Sequence, residues 1–293
     1  MTTPEGWVGR TLKELRLPEK NGVEVVTVKS AGRGIPSPAL RPALGARGSP
    51  RPRRPEAAPR RAQRTGLMPS AADLKRLAKL KQKKYREAER LFLAEGRNLV
   101  GSSPQPPLET YDDPAAVKRL STLTTPTGPV ALFPFLDVPP DELLRSRDLI
   151  VLLDGVQDPG NVGTAIRAAH AFGAGVALSS GTADLYNPKT VRATMGSLFH
   201  APVARELDPT GFLASAHAAG FASAAAMPEG GDAPADLPAG KLVLVVGSEG
   251  AGLSEEVAVA CSLRVTIPVL APSLNAAVAA SILIYEAHGR MLG

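Results

Sequence analysis

The sequence predicts an α/β protein built on a mostly parallel sheet, with that sheet confined to the C-terminal half of its 293 residues. Three observations predict it. From Leu149 onward, short apolar runs alternate with segments of helical pattern, as in successive βαβ units. The runs LIVLLDGV (149–156) and KLVLVVGSE (241–249) are continuously apolar, as strands buried on both faces are. Clusters of Asp, Pro, Gly and Asn separate the runs, where turns and helix starts belong.

Taken in order, the first 30 residues are ambiguous; VEVVTV (23–28) is a candidate strand with no evident partner. Residues 31–66 carry nine Arg and one acid among many Pro and Gly, and they have too little apolar surface to offset the entropy of ordering, so a disordered tail is expected. Met68 is an alternative start of translation, which would leave residues 1–66 untranslated. Ser70 is a good N-cap for a helix through AADLKRLAKLKQKKYREAERLFL (71–93), with Leu74, Leu77 and Leu80 as its apolar stripe. A loop at 101–109, a short helix at 114–121, a turn into a strand at 125–136 and a linker or short helix at 141–148 follow.

Beyond the run at 149–156, helices are expected at 161–174, 187–196, 208–220, 254–261 and 273–292. Strands are expected at 175–180, 201–207, 221–226, 241–249 and 263–269. In such a sheet, ligands sit beyond the carboxyl ends of the strands.

Composition narrows the function classes. The net charge of +6 is uneven: residues 71–90 hold eight Lys or Arg against three acids, while residues 91–293 are net −8. A basic segment on an acidic body suits a polyanion partner, or is simply a solvated tail and helix face. The one cysteine, Cys261, excludes an internal disulfide. The four histidines lie far apart, so no metal is expected. No apolar stretch reaches membrane-spanning length and the N-terminus has no apolar signal core, so a cytoplasmic protein without a membrane partner is expected.

Three segments after buried strands carry unusual polar residues. In DGVQDPGNVGTAIRAAHAFGA (154–174), Asn161 is placed to cap the next helix and Arg167 lies nearly two turns in. In VVGSEGAGLSEEV (245–257), three glycines permit close approach of a ligand, but the spacing fits neither the dinucleotide nor the P-loop fingerprint. In IPVLAPSLNAAVAASILIYEA (267–287), Ser273 can cap the last helix and Asn275 falls in its first turn.

Together these segments resemble the three signature motifs of the SpoU (TrmH) family of RNA 2′-O-methyltransferases, in the family's order and over about residues 149–293. NxGxxxR appears as Asn161, Gly163 and Arg167. The second motif appears as Gly247, Ser248, Glu249, Gly250 and Gly252, and the third as Ile267, Pro268, Ser273, Leu274 and Asn275. The resemblance implies a deep C-terminal trefoil knot and a homodimer joined through the last helix. It implies S-adenosyl-L-methionine as cofactor, contacted at Gly247, Ile267 and Leu274. It also implies a catalytic group of Asn161, Arg167, Glu249, Ser273 and Asn275, with Arg167 either taking the ribose proton or steadying the developing alkoxide.

The loop at 269–272 is shorter than the family's usual glycine-containing one. Residues 81–100 and 119–133 look like the ends of the family's substrate-binding domain with its middle missing. The resulting division is a tail (1–66), a short, truncated α+β substrate-binding domain (67–145) and a catalytic domain (146–293). The implied substrate is 23S rRNA, with tRNA as the alternative, and an inactive RNA-binding homologue in ribosome assembly is the reading from another class.

Overall fold

The computed structural model describes residues 70–271 and 273–292; the expected strand at 23–28 and the tail at 1–66 lie outside them. Helix α1 spans Ala71–Ala78, and the Ser70 hydroxyl accepts the Asp73 amide at 3.1 Å as expected of an N-cap. The single long helix expected over 71–93 does not form. After a 3-10 turn over Lys79–Lys81, Gln82 is extended, α2 covers only Lys83–Glu89, and Arg90 turns left-handed. Residues Leu91–Glu95 are then a strand, β1. Its Phe92 and Ala94 are buried in one core, while Leu91 and Leu93 pack against another. Pairing with a distant strand thus overrides the local helical pattern.

Helix α3 (Arg97–Gly101), strand β2 (Glu109–Tyr111), helix α4 (Pro114–Leu120) and strand β3 (Val130–Pro134) complete an antiparallel sheet of order β1-β3-β2. Leu77, Leu80, Tyr111, Val117, Leu120 and Leu132 form the core under α1 and α4. The short β2 begins at Glu109, the last residue of the expected loop, just after a Pro-rich stretch that carries no strand signal.

After α5 (Pro140–Ser146) come β4 (Leu149–Leu153), α6 (Pro159–Ala171), β5 (Gly175–Ser179), α7 (Pro188–Ala193), β6 (Val203–Leu207), α8 (Pro209–Ala218) and β7 (Ala222–Ala226). The chain ends with β8 (Leu242–Val246), α9 (Glu255–Ala260), β9 (Leu263–Val265) and α10 (Ala276–Leu292). All six strands from β4 to β9 are parallel, in the order β6-β5-β4-β8-β7-β9. Helices cover both faces: α6, α7 and α10 one, α5, α8 and α9 the other.

Chain order reverses beside β4 and β8, so this sheet has the switch point at which α/β proteins bind ligands. Strands β8 and β9 stop at Val246 and Val265, short of the expected 249 and 269. The segments beyond them leave the sheet and wall a cleft instead.

The two sheets are joined by buried polar contacts. Arg86 pairs with Asp184 and donates to the Leu80 carbonyl at 2.7 Å. Arg205 grips Glu87 at 2.8 and 3.0 Å and lies 3.3 Å from Asp137. Its guanidinium sits over Phe135, which stacks on Tyr186 with ring centroids 3.8 Å apart.

Candidate active site

A cleft of about 780 Å³ opens at the carboxyl ends of β7, β8 and β9. Its walls come from three loops: Met227–Gly230 after β7, Gly247–Leu253 after β8, and, after β9, Thr266–Val269 with Ala271, Ser273 and Leu274. The second is a tight turn in which Ser248 and Gly252 exchange backbone hydrogen bonds at 3.2 and 3.0 Å. A Cβ added at Gly247 would lie 2.3 Å from the Gly252 carbonyl carbon, so only glycine permits this closure. Gly252 itself needs a φ of +68°, a region glycine occupies without strain.

The opposite wall is pinned just as firmly. Met227 donates its amide to Val265 at 2.9 Å, and the Gly231 amide reaches the Thr266 hydroxyl at 2.9 Å.

Three of the polar residues singled out by sequence meet at the edge of this cleft where Glu249 lines it. The Asn161 side-chain amide donates to the Glu249 carboxylate, while its carbonyl oxygen accepts from Asn275 Nδ2 at 3.0 Å. Residues 88 and 114 positions away from Asn161 in the chain are therefore locked into one row. Gly247, Glu249, Ile267, Ser273 and Leu274 line the cleft beside it. Arg167 lies elsewhere on α6, exposed and with no hydrogen-bond or ion-pair partner among the described residues.

Both cap assignments made from sequence are wrong in the same way. Asp158, not Asn161, caps α6: its carboxylate takes the Asn161 amide at 3.0 Å, with Pro159 in the first turn. The Asn161 amide, helped by the Gly160 amide and Lys189, holds that carboxyl below its ordinary range against an opposing effect of desolvation. The signal was available, since Asp-Pro is a strong helix start.

At α10 the cap is Asn275, not Ser273. Its side-chain oxygen accepts the amides of Ala277 and Val278 at 3.0 and 3.2 Å. Asn275 therefore precedes the helix instead of lying in its first turn, and a residue disfavoured inside helices sits where it is most favoured. Both errors conceal the same design: each cap frees or fixes an asparagine for the central row.

Gly163 serves packing. A Cβ there would meet the Ala193 Cβ at 2.4 Å, so the glycine lets α6 and α7 touch. The loop after β7, with Glu229 at the cleft, carried no sequence signal beyond its glycines.

Comparison with known proteins finds methyltransferases. The family model for the SpoU rRNA methylase family matches residues 148–285. A 23S rRNA (guanosine(2553)-2′-O)-methyltransferase of Bacillus subtilis is 33% identical over 241 residues, spanning 72% of this chain and 94% of that protein. An AdoMet-bound rRNA methyltransferase from Sinorhizobium meliloti superposes with a TM-score of 0.67 at 31% identity, over 77% of this chain and 98% of that one. The SpoU methyltransferase AviRb from Streptomyces viridochromogenes, solved with AdoMet, gives a TM-score of 0.66 at 26% identity, over 76% of this chain and 99% of that one.

Proposed function

The chain belongs to the SpoU family of RNA methyltransferases, and from that premise we propose that it methylates a ribose 2′-hydroxyl of 23S rRNA in the cytoplasm, using S-adenosylmethionine. One observation carries the reading: the Asn275–Asn161–Glu249 row at the edge of a cleft large enough for a nucleoside-sized ligand.

The residues present fit the cofactor. The Gly247–Gly252 turn brings bare backbone to the cleft, Ile267 and Leu274 offer apolar walls, and two carboxylates, Glu229 and Glu249, suit a cationic ligand. S-adenosylmethionine supplies an already activated methyl group when bound, which leaves alignment and proton handling to the protein. Asn161 is held at both ends of its side chain, so it keeps Glu249 and Asn275 at a fixed spacing for the acceptor ribose. Ser273 adds a hydroxyl to the same wall. Arg167 is uncommitted and permanently charged, which suits it to gripping a phosphate and steadying the developing alkoxide while the proton leaves to phosphate or solvent.

Three further assignments belong to this reading. The chain is knotted near its end: β8 lies inside β7, β9 lies outside it, and the loop after β7 bridges back to β9 through Asp232 and Val265. The protein pairs with a second copy through α10, where Val278, Tyr285 and Leu292 are 45%, 60% and 75% exposed and recur every seven residues, on one face of the helix. The module over 67–145 meets the RNA through the 3-10 turn after α1 and through α2, where Lys79 of the turn and Lys84 of α2 flank the Tyr85 ring at 5.3 and 4.9 Å.

Methyl transfer from tritiated S-adenosylmethionine to unmethylated 23S rRNA, followed by mapping of the alkali-resistant position, tests the reading. Transfer to tRNA alone would move the substrate. Arg167→Ala is expected to lower turnover about 10²–10³-fold, as loss of a transition-state hydrogen-bond donor does, with cofactor affinity unchanged. A variant with near-normal turnover would remove Arg167 from the mechanism.

A further inference from the structure

The face of α6 that carries Arg167 continues into a second feature. His170, three residues on and hence on the adjoining helical face, stacks on His200 with ring centroids 4.8 Å apart and planes within 7°. Both rings are exposed. Each is fixed from behind: His170 Nδ1 lies 3.1 Å from the Ser197 hydroxyl, and His200 Nε2 lies 2.9 Å from the Ser102 carbonyl. Partial burial and the neighbouring His200 hold the His170 imidazole below its ordinary value.

Five residues before His200 in the chain, Met195 stands 63% exposed on a backbone with φ of +48°. A non-glycine residue in that region is strained, and such strain gathers at functional positions. Gly196, which follows, approaches Ser102 so closely that a Cβ would lie 2.1 Å from its hydroxyl oxygen. Only glycine permits that close approach, which fixes the backbone just after Met195.

We propose that His170, His200 and Met195 form a stacking platform for one unpaired RNA base near the ribose handled by Arg167. The inference rests on the RNA-methyltransferase reading given above. Every base has a π-face, so stacked imidazoles beside a polarisable thioether recognise an unpaired base with little sequence preference. Arg192, held by Thr122 at 2.7 Å, and Lys189, 64% exposed at its side chain, lie on α7, the helix that leads into Met195, and supply positive charge for the backbone.

The test uses the full chain, methylating 23S rRNA transcript with tritiated S-adenosylmethionine. Activity of the wild-type enzyme on that transcript tests the underlying reading separately. His170→Ala with His200→Ala should raise KM for the transcript about tenfold, within the range of one lost base–aromatic stack, with kcat and cofactor Kd little changed. His200→Phe separates two roles: it keeps a stacking ring but loses the bond to Ser102. Retention of low KM supports the platform, and a KM as high as for alanine shows a structural clamp and overturns it. Should the double variant fail to fold, Met195→Ala, at an exposed position, still decides: a raised KM supports the proposal, and an unchanged KM overturns it.

Discussion

The six-stranded sheet and the three-stranded sheet are stabilised by different means. Every residue of β4, β5 and β8 is buried, and apolar helices cover both faces. The smaller sheet has an apolar core of its own, but charged groups also tie it to the larger one: Arg86 to Asp184, and Arg205 to Glu87. The difference matters for a methyltransferase. The side carrying the cleft stands on a largely apolar core, while the module read as gripping RNA shares that core through Phe92 and Phe133 and is further set in place by ion pairs whose geometry is directional. Ionic joints fix orientation at a cost in desolvation, and apolar layers supply stability without much orientation.

The largest effect should come from breaking the joint at its most buried pair. The side chains of Arg86 and Asp184 are 3% and 10% exposed. Arg86→Ala leaves Asp184 charged and unpaired, and should cost about 3–5 kcal/mol of stability in urea melts. Replacing both residues by apolar ones of similar volume should recover most of that loss while slackening the placement of the small sheet, seen as a raised KM for RNA. Full recovery of both stability and KM would show that the joint carries no orientation and would collapse the contrast between the two regions.

The same contrast explains what could be read from the sequence. The large sheet was legible because strands buried on both faces appear as unbroken apolar runs, and LIVLL and LVLVV can hardly be anything else. The small sheet was not. LFLAE continues the spacing of a Lys-rich helix, and only its pairing with Val130–Pro134 makes it a strand. The three motifs brought Asn161, Glu249 and Asn275 to notice, yet no local rule shows that they hydrogen-bond to one another. The caps were misread because two acceptable caps stood near each helix start, and the choice between Asn161 and Asp158, or Ser273 and Asn275, is made by the tertiary row. Glu229, His200 and Met195 lie in loops whose position depends on contacts far away in the chain, so the sequence carried no mark of them.

A smaller effect probes the rim of the large sheet. Asn275→Ala removes the cap of α10 and one end of the row. The stability cost should be about 1 kcal/mol, typical of a lost N-cap. The loss of methyl transfer should be far greater than that cost implies, since Asn161 is then free to turn away from Glu249. Asn275→Ser, which can still cap, separates the two roles: restored stability with poor turnover is expected, and restored turnover would show that capping alone matters.

The smallest effect is expected from acid, and it falls on the joint. Burial alone would raise the Asp137 carboxyl, but the Tyr186 hydroxyl and the guanidinium groups of Arg205 and Arg90 outweigh it and hold the carboxyl below its ordinary value. The Tyr186 hydroxyl donates to Asp137 at 2.7 Å while accepting the amides of Leu136 and Asp137 at 2.6 and 2.7 Å. A carboxyl whose folded pKa lies below the unfolded value of about 3.9 adds stability that is fully present above that value. The contribution is lost as pH falls through the depressed folded value. Urea melts of wild type and Asp137→Asn should therefore differ most near neutral pH and begin to converge as pH falls below about 4. Because Asp137 faces Arg205 and Arg90 from the small-sheet side, convergence would place part of the joint's strength in this one carboxylate. A gap that stayed constant down to pH 3 would mean that Asp137 acts there by hydrogen bonding and packing, not by charge, and the joint would then resemble the apolar layers more closely than its ion pairs suggest.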